Sequence, residues 1–147
     1  MLPKESLQQL IELARMRCKR AARELGASQT RVQEESDRLE LLRDYRKDYL
    51  MRFEIASRSG MDSGSWTNYL DFIRKLDAAI EHQQQVLELC RDAVNQRRSA
   101  WRAQDSKKKS FATLDRRHHD SQLASERRRE QREQDEFASR TTNREPI

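Results

Sequence analysis

From Leu7 to Phe53 the chain returns to one helical face at alternating intervals of four and three residues. The series is Leu7, Ile11, Ala14, Cys18, Ala21, Leu25, Ser28, Val32, Glu35, Leu39, Leu42, Arg46, Tyr49 and Phe53. Only Ser28, Glu35 and Arg46 interrupt its apolar character. A heptad register held this long belongs to a helix that packs along its length against another helix, not against a sheet. Gly26 costs about 1 kcal/mol inside such a helix and marks a candidate bend.

After Ala56 the pattern stops at SRSGMDSGSW, where Gly60 and Gly64 offer positive φ and Asp62, Ser63 and Ser65 offer helix caps. A second 3,4 series then begins at Trp66. It runs through Tyr69, Ile73, Leu76, Ile80, Gln83, Leu87, Cys90, Val94, Arg97, Trp101, Gln104, Lys108 and Phe111 and decays into charge. Outside the turn, breakers are scarce: the two prolines are Pro3 and Pro146, and Gly26 is the remaining glycine. With 37% charged and 35% hydrophobic residues, the chain has material for a narrow seam and not for a two-layer globule.

A short connection holds the two series near each other, so an antiparallel hairpin buries both seams within one chain. The expected fold is all-α: an antiparallel two-helix coiled-coil hairpin over residues 1–147, with an overhanging C-terminal helix. Its parts are a helix over about residues 5–57, a loop over about 58–65, a helix over about 66–139 and a flexible tail at 140–147. A fold-back near Met61 sets Leu42 opposite roughly Ile80 and Leu7 opposite roughly Asp115, by equidistance from the turn. The same geometry separates Cys18 from Cys90 by roughly 20 Å along the axis, which rules out an internal disulfide. Residues from about 118 to 140 then lack a partner segment and project as a charged helix.

Charge is unevenly placed. Residues 1–96 hold 16 basic and 16 acidic side chains, and residues 97–147 hold 14 and 9, so the whole net charge of +5 sits in the last third. The overhang is therefore read as basic and as a surface for an acidic partner. KKK at 107–109, Arg116, Arg117 and RRR at 127–129 also invite a nucleic-acid reading. That comparison is imperfect, because the basic residues follow the heptads instead of preceding them and are interleaved with Glu126, Glu130 and Asp135.

No stretch of about 18 apolar residues is present to cross a bilayer, and MLPKESLQQL lacks the pattern of a signal peptide. The expectation is a cytoplasmic protein whose membrane association runs only through partners. His118, His119 and Asp120 are the one compact set of possible metal ligands, but adjacent helical residues point about 100° apart. No metal site, cofactor or catalytic residue is expected, since a glycine-rich phosphate loop and a strand-turn-helix setting for a nucleophile are both missing. Near the turn, Tyr49 and Leu76 read as seam residues. Tyr45 and Phe72 lie at its margin and are candidates for docking a partner.

AARELG at 21–26, LLRDYRKDYL at 41–50, the glycine-bearing loop leading into SWTNYLDFIRKLDAAIEHQ, Trp101 and DEFASR follow one another in an order and spacing that resembles the FliJ family of the bacterial flagellar type III export apparatus. The resemblance implies a non-catalytic hairpin, similar to the central shaft of rotary ATPases, that inserts into the hexameric ring of the export ATPase and promotes its work. It implies that the paired termini, Leu7 to Cys18 and Phe111 to Phe137, face the ring, with Arg116, Arg117, Arg127, Arg128 and Phe137 as contacts. It further implies docking on the cytoplasmic domain of the export gate through Leu42, Tyr45, Tyr49, Phe72, Leu76 and Ala79. Arg38 and Gln83 edge that patch and depart from the family pattern, where a glutamine and a histidine are more familiar. Escort of export chaperones is a further family role, and no nucleic acid is expected. The alternatives left by the residues alone are a generic cytoplasmic coiled-coil adaptor or homodimeric scaffold, and a basic nucleic-acid-binding coiled coil.

Overall fold

In the computed structural model, residues 3–144 are described, and within them the chain forms two long helices packed against each other as an antiparallel hairpin. Helix α1 spans Lys4–Arg58 and helix α2 spans Ser63–Arg144. Among the described residues there is no strand. The final residues of the expected flexible tail, 145–147, lie outside the described residues, while 140–144 continue α2 as helix.

The connection is shorter than the glycines and serines suggest. Ser59 and Gly60 close α1 through backbone bonds to the carbonyls of Ile55 and Ser57, both at 3.3 Å, and Gly60 takes φ of 89°, a conformation that L side chains rarely adopt. Three residues later, at Ser63, α2 begins. Asp62 caps it, its carboxylate accepting from the Ser65 amide at 3.3 Å while its carbonyl accepts from the Trp66 amide at 3.1 Å. Bonds to Ser65 hold the Asp62 carboxyl below its ordinary range. The expected start at Trp66 is thus corrected to Ser63, because the cap is satisfied one turn earlier.

The chain divides into two compact units, and each contains a segment of both helices. Among the described residues the first comprises 3–18 with 104–144. Here Leu7, Ile11, Ala14 and Cys18 are buried, and the Gln8 amide donates to the Asp115 carboxylate at 3.0 Å. The Cys18 thiol lies 3.9 Å from Asp105, whose carboxylate meets the Lys109 ammonium at 2.9 Å. That cation holds the Asp105 carboxyl down, and the carboxylate in turn raises the Lys109 ammonium. Burial along α2 in this unit ends at half-buried His118, and residues 119–142 are exposed throughout.

The second unit comprises residues 19–103 and includes the turn. Its core is Ala21, Leu39, Leu76, Leu87, Cys90 and Val94. Next to the turn, aromatic rings interleave from both helices. Phe53 meets Trp66 and Tyr69 at 4.9 and 5.4 Å between centroids, and Tyr49 meets Tyr69 and Phe72 at 5.2 and 4.4 Å. These tilted contacts add to the area that each ring buries. They explain why six of the nine aromatic residues of the chain cluster within Tyr45–Phe72.

The polar interruptions of the first seam have identifiable partners. Ser28 donates to the Leu25 carbonyl at 2.7 Å, and Arg46 pairs across the hairpin with Asp77. Glu35, only 5% exposed, accepts from Arg38 at 3.0 Å and from the Gln83 amide, which also donates to the Glu35 carbonyl at 3.0 Å. A buried carboxylate is tolerated only when bonded in this way. Glu35 and Gln83 therefore form one polar layer, and a slip of register would leave a charge without partners. At Gly26 the helix continues without a positive φ, so the expected bend is not a break.

Candidate functional site

The residues expected to dock on a partner near the turn all belong to the second unit, but the hairpin uses most of them internally. Leu76 is 7% exposed and is core. Leu42, Tyr49, Phe72 and Ala79 are half-buried. Tyr45 alone among the six is freely presented, 52% exposed, with its ring edge on Phe72 at 6.2 Å and 67°. At the margin, Arg38 is exposed and Gln83 half-buried, and both bond to Glu35. Arg38 and Gln83 thus share one acidic partner.

The hydrogen bond from Gln83 holds the Glu35 carboxyl below its ordinary value, outweighing the upward push of burial with help from Arg38 and Arg31. The layer is therefore anionic at neutral pH.

Arg116, Arg117, Arg127, Arg128 and Phe137 belong to the first unit and are all exposed, Phe137 at 73%. One expectation is corrected here. The exposed stretch of α2, residues 119–142, holds five basic and six acidic side chains, so it is close to charge-balanced, not basic. The basic excess lies in residues 97–118, with eight basic and two acidic side chains. In that stretch Arg97 pairs with Glu24 at 3.1 Å, and Lys108 and Lys109 close on Asp105. The overhang is thus an alternating-sign helix face, and its field toward phosphate is weak.

Some exposed apolar residues were not singled out from the sequence. On α1, Leu41, Met51 and Ile55 are 69%, 54% and 61% exposed. The signal for Leu41 and Ile55 was present as a second 3,4 series beside the seam. The surface hollows are open and shallow; one is lined by Arg43, Arg46, Lys47, Leu50, Met51 and Glu54, and another by Glu130, Glu133, Gln134 and Phe137. Among the described residues no group of three or more His, Cys, Asp or Glu side chains is placed to hold a metal ion, and no helix is long and apolar enough to cross a membrane. Cys18 and Cys90 are free and buried.

The fold and its exposed residues define a helical hairpin that offers surfaces: an uncovered length of helix in one unit and an apolar, aromatic-edged helix face in the other. Comparison with known proteins gives the family. The family model for the flagellar FliJ protein matches residues 3–146. Flagellar FliJ proteins of Escherichia coli (strain K12) and Salmonella typhi are each 31% identical over 141 residues, covering 96% of this chain and 96% of the relative. The chain belongs to the flagellar FliJ protein family.

Proposed function

We propose that this protein is a non-catalytic component of the bacterial flagellar type III export apparatus. In this reading it is a shaft-like partner that enters the ring of the export ATPase through its first unit and docks on the cytoplasmic domain of the export gate through its second. It works in the cytoplasm and is held at the inner membrane by those partners, with emptied export chaperones as a further cargo. The carrying observation is membership in the flagellar family over almost the whole chain, combined with a helix that is exposed throughout residues 119–142.

A charged helix without a partner segment gains little from its own packing, since an isolated helix is marginal in water. Its length and its alternating charges are what a surrounding protein wall of mixed charge accommodates. Exposed Phe137 supplies an apolar anchor on the same stretch.

The test is the hydrolysis rate of the purified hexameric export ATPase with and without the protein. Full-length chain raises the rate, and a chain truncated after His119 raises it less while keeping the paired part of the hairpin folded. An unchanged rate with full-length chain would refute the proposal.

A further inference from the structure

Arg91, Asn95, Arg98 and Arg102 follow one another on α2 at intervals of four, three and four residues, and all four are exposed. At 100° per residue they form one stripe beside the seam residues Leu87, Cys90, Val94, Arg97 and Trp101. Among the described residues none of the three stripe arginines is held in an ion pair, whereas Arg97 closes on Glu24 at 3.1 Å. Their charge is turned to solvent.

Helix α1 borders this stripe with mostly short side chains. Ala22, Gly26 and Gln29, spaced four and three, are exposed on that flank, and a Cβ added at Gly26 meets no atom within 4 Å. An open hollow of about 240 Å³ results within the second unit, lined by Gln29 and Val32 of α1 and by Arg91, Val94, Asn95 and Arg98 of α2. Small-molecule sites occupy roughly 300–1,000 Å³, so this hollow seats a few side chains and not a whole ligand.

The donors narrow the occupant. Arg91 and Arg98, seven residues apart, stand about 10.5 Å apart along the axis, and each guanidinium takes a carboxylate bidentately. An extended polyproline-type peptide has three residues per turn and rises about 3.1 Å per residue, so its positions i and i+3 share a face about 9.3 Å apart. Such a peptide also carries unbonded backbone N–H and C=O groups, which the amides of Asn95 and Gln29 complement. A helical occupant has none to offer in its interior. In sequence, Glu88 and Asp92 stand at one end of the stripe and Asp105 beyond the other, so the basic run covers only about 16 Å and does not extend along a polyanion.

We propose that this hollow binds an acidic segment of a partner protein, extended and carrying carboxylates three residues apart. Gln29 lies on the flank of the α1 seam opposite Tyr45, so the site is separate from the patch assigned above to the export gate. It stands or falls independently of the ring and gate readings.

The experiment measures, by fluorescence anisotropy at low ionic strength, binding of full-length chain to a labelled eight-residue proline peptide carrying two glutamates three residues apart. Circular dichroism confirms that each variant is as helical and as stable as wild type. Arg91→Gln with Arg98→Gln weakens binding at least about tenfold, since two charge-assisted contacts are lost. Lys47→Gln with Lys75→Gln removes the same charge from exposed positions more than about 20 Å away along the axis and changes binding less than about threefold. Arg91→Lys with Arg98→Lys keeps the charge, loses the planar fork and weakens binding at least about threefold. Equal losses in the two glutamine double variants would reduce the effect to net charge and overturn the site. So would failure of wild type to bind the peptide, equal binding of a peptide whose glutamates are two residues apart, or tighter binding of single-stranded oligodeoxythymidylate through the same arginines, which would make the occupant a nucleic acid.

Discussion

Leu76→Ala separates a contact residue from a core residue at a position where family likeness and burial point different ways. Leu76 is 7% exposed, so the substitution removes nearly its full share of apolar burial. Fully burying a leucine side chain is worth roughly 1.5–3 kcal/mol, and the cavity left behind adds to the loss. A core one layer thick lets neighbours settle into the gap, which places the cost at the low end of the range for Leu→Ala, about 2–3 kcal/mol. For a chain of this length that lowers the melting midpoint by about 5–10 °C. Tyr45→Ala, at a site 52% exposed, costs about 1 kcal/mol or less. Urea titrations followed by circular dichroism at a fixed pH give both values, and midpoints should be compared only if the slopes agree. A Leu76→Ala variant within about 0.5 kcal/mol of wild type would refute the placement of Leu76 in the core.

Gly26→Ala should stabilise by about 1 kcal/mol, because α1 is regular there and an added Cβ meets no atom within 4 Å; a lowered melting midpoint would show that the glycine serves a bend. Glu35 has a folded-state pKa below its unfolded value, so its contribution is present above the ordinary carboxylate range near 4.5 and is lost as pH falls through the lower folded value. Melting from pH 7 down to pH 3 should therefore cost Glu35→Gln less stability than wild type, and parallel losses would contradict this; Asp62 and Asp105 shift in the same direction and supply a common background. Asp62→Ala should lower the melting midpoint and expose the amides at the start of α2 to faster hydrogen exchange, which unchanged exchange at Ser65 and Trp66 would contradict.

The two 3,4 series specify the helices and their pairing because a heptad stripe has one way to be covered in a single chain, and equidistance from the turn specifies the register. Gln8 on Asp115 and Cys18 beside Asp105 lie within a residue of the pairing so obtained. Less legible were features that depend on satisfaction of polar groups. Asp62, Ser63 and Ser65 all read as cap candidates, and only the Ser65 amide that Asp62 accepts from singles out the first of them, so that α2 starts three residues before Trp66. Glu35 and Gln83 read as two separate flaws in opposite seams, and only their contact makes them one layer. The candidate sites were legible as regions and not as surfaces. Leu76 and Tyr45 have similar apolar character in the sequence, yet the turn of the helix buries one and presents the other. The near-balanced charge of residues 119–142 became visible only when burial showed where pairing ends.

Both proposed roles require that the two helices pair within one molecule, and this is most directly measured by a spin-label distance between positions 8 and 115. With Cys18→Ala and Cys90→Ala as background, labels at Gln8→Cys and Asp115→Cys in a chain diluted into unlabelled protein report intramolecular pairing alone. The Gln8–Asp115 bond at 3.0 Å predicts label separations of about 20 Å or less, the reach of two tethers across neighbouring helices. Helices extended apart from each other would place the labels up to about 160 Å apart at 1.5 Å per residue, and a distribution lying wholly beyond about 60 Å would contradict the hairpin.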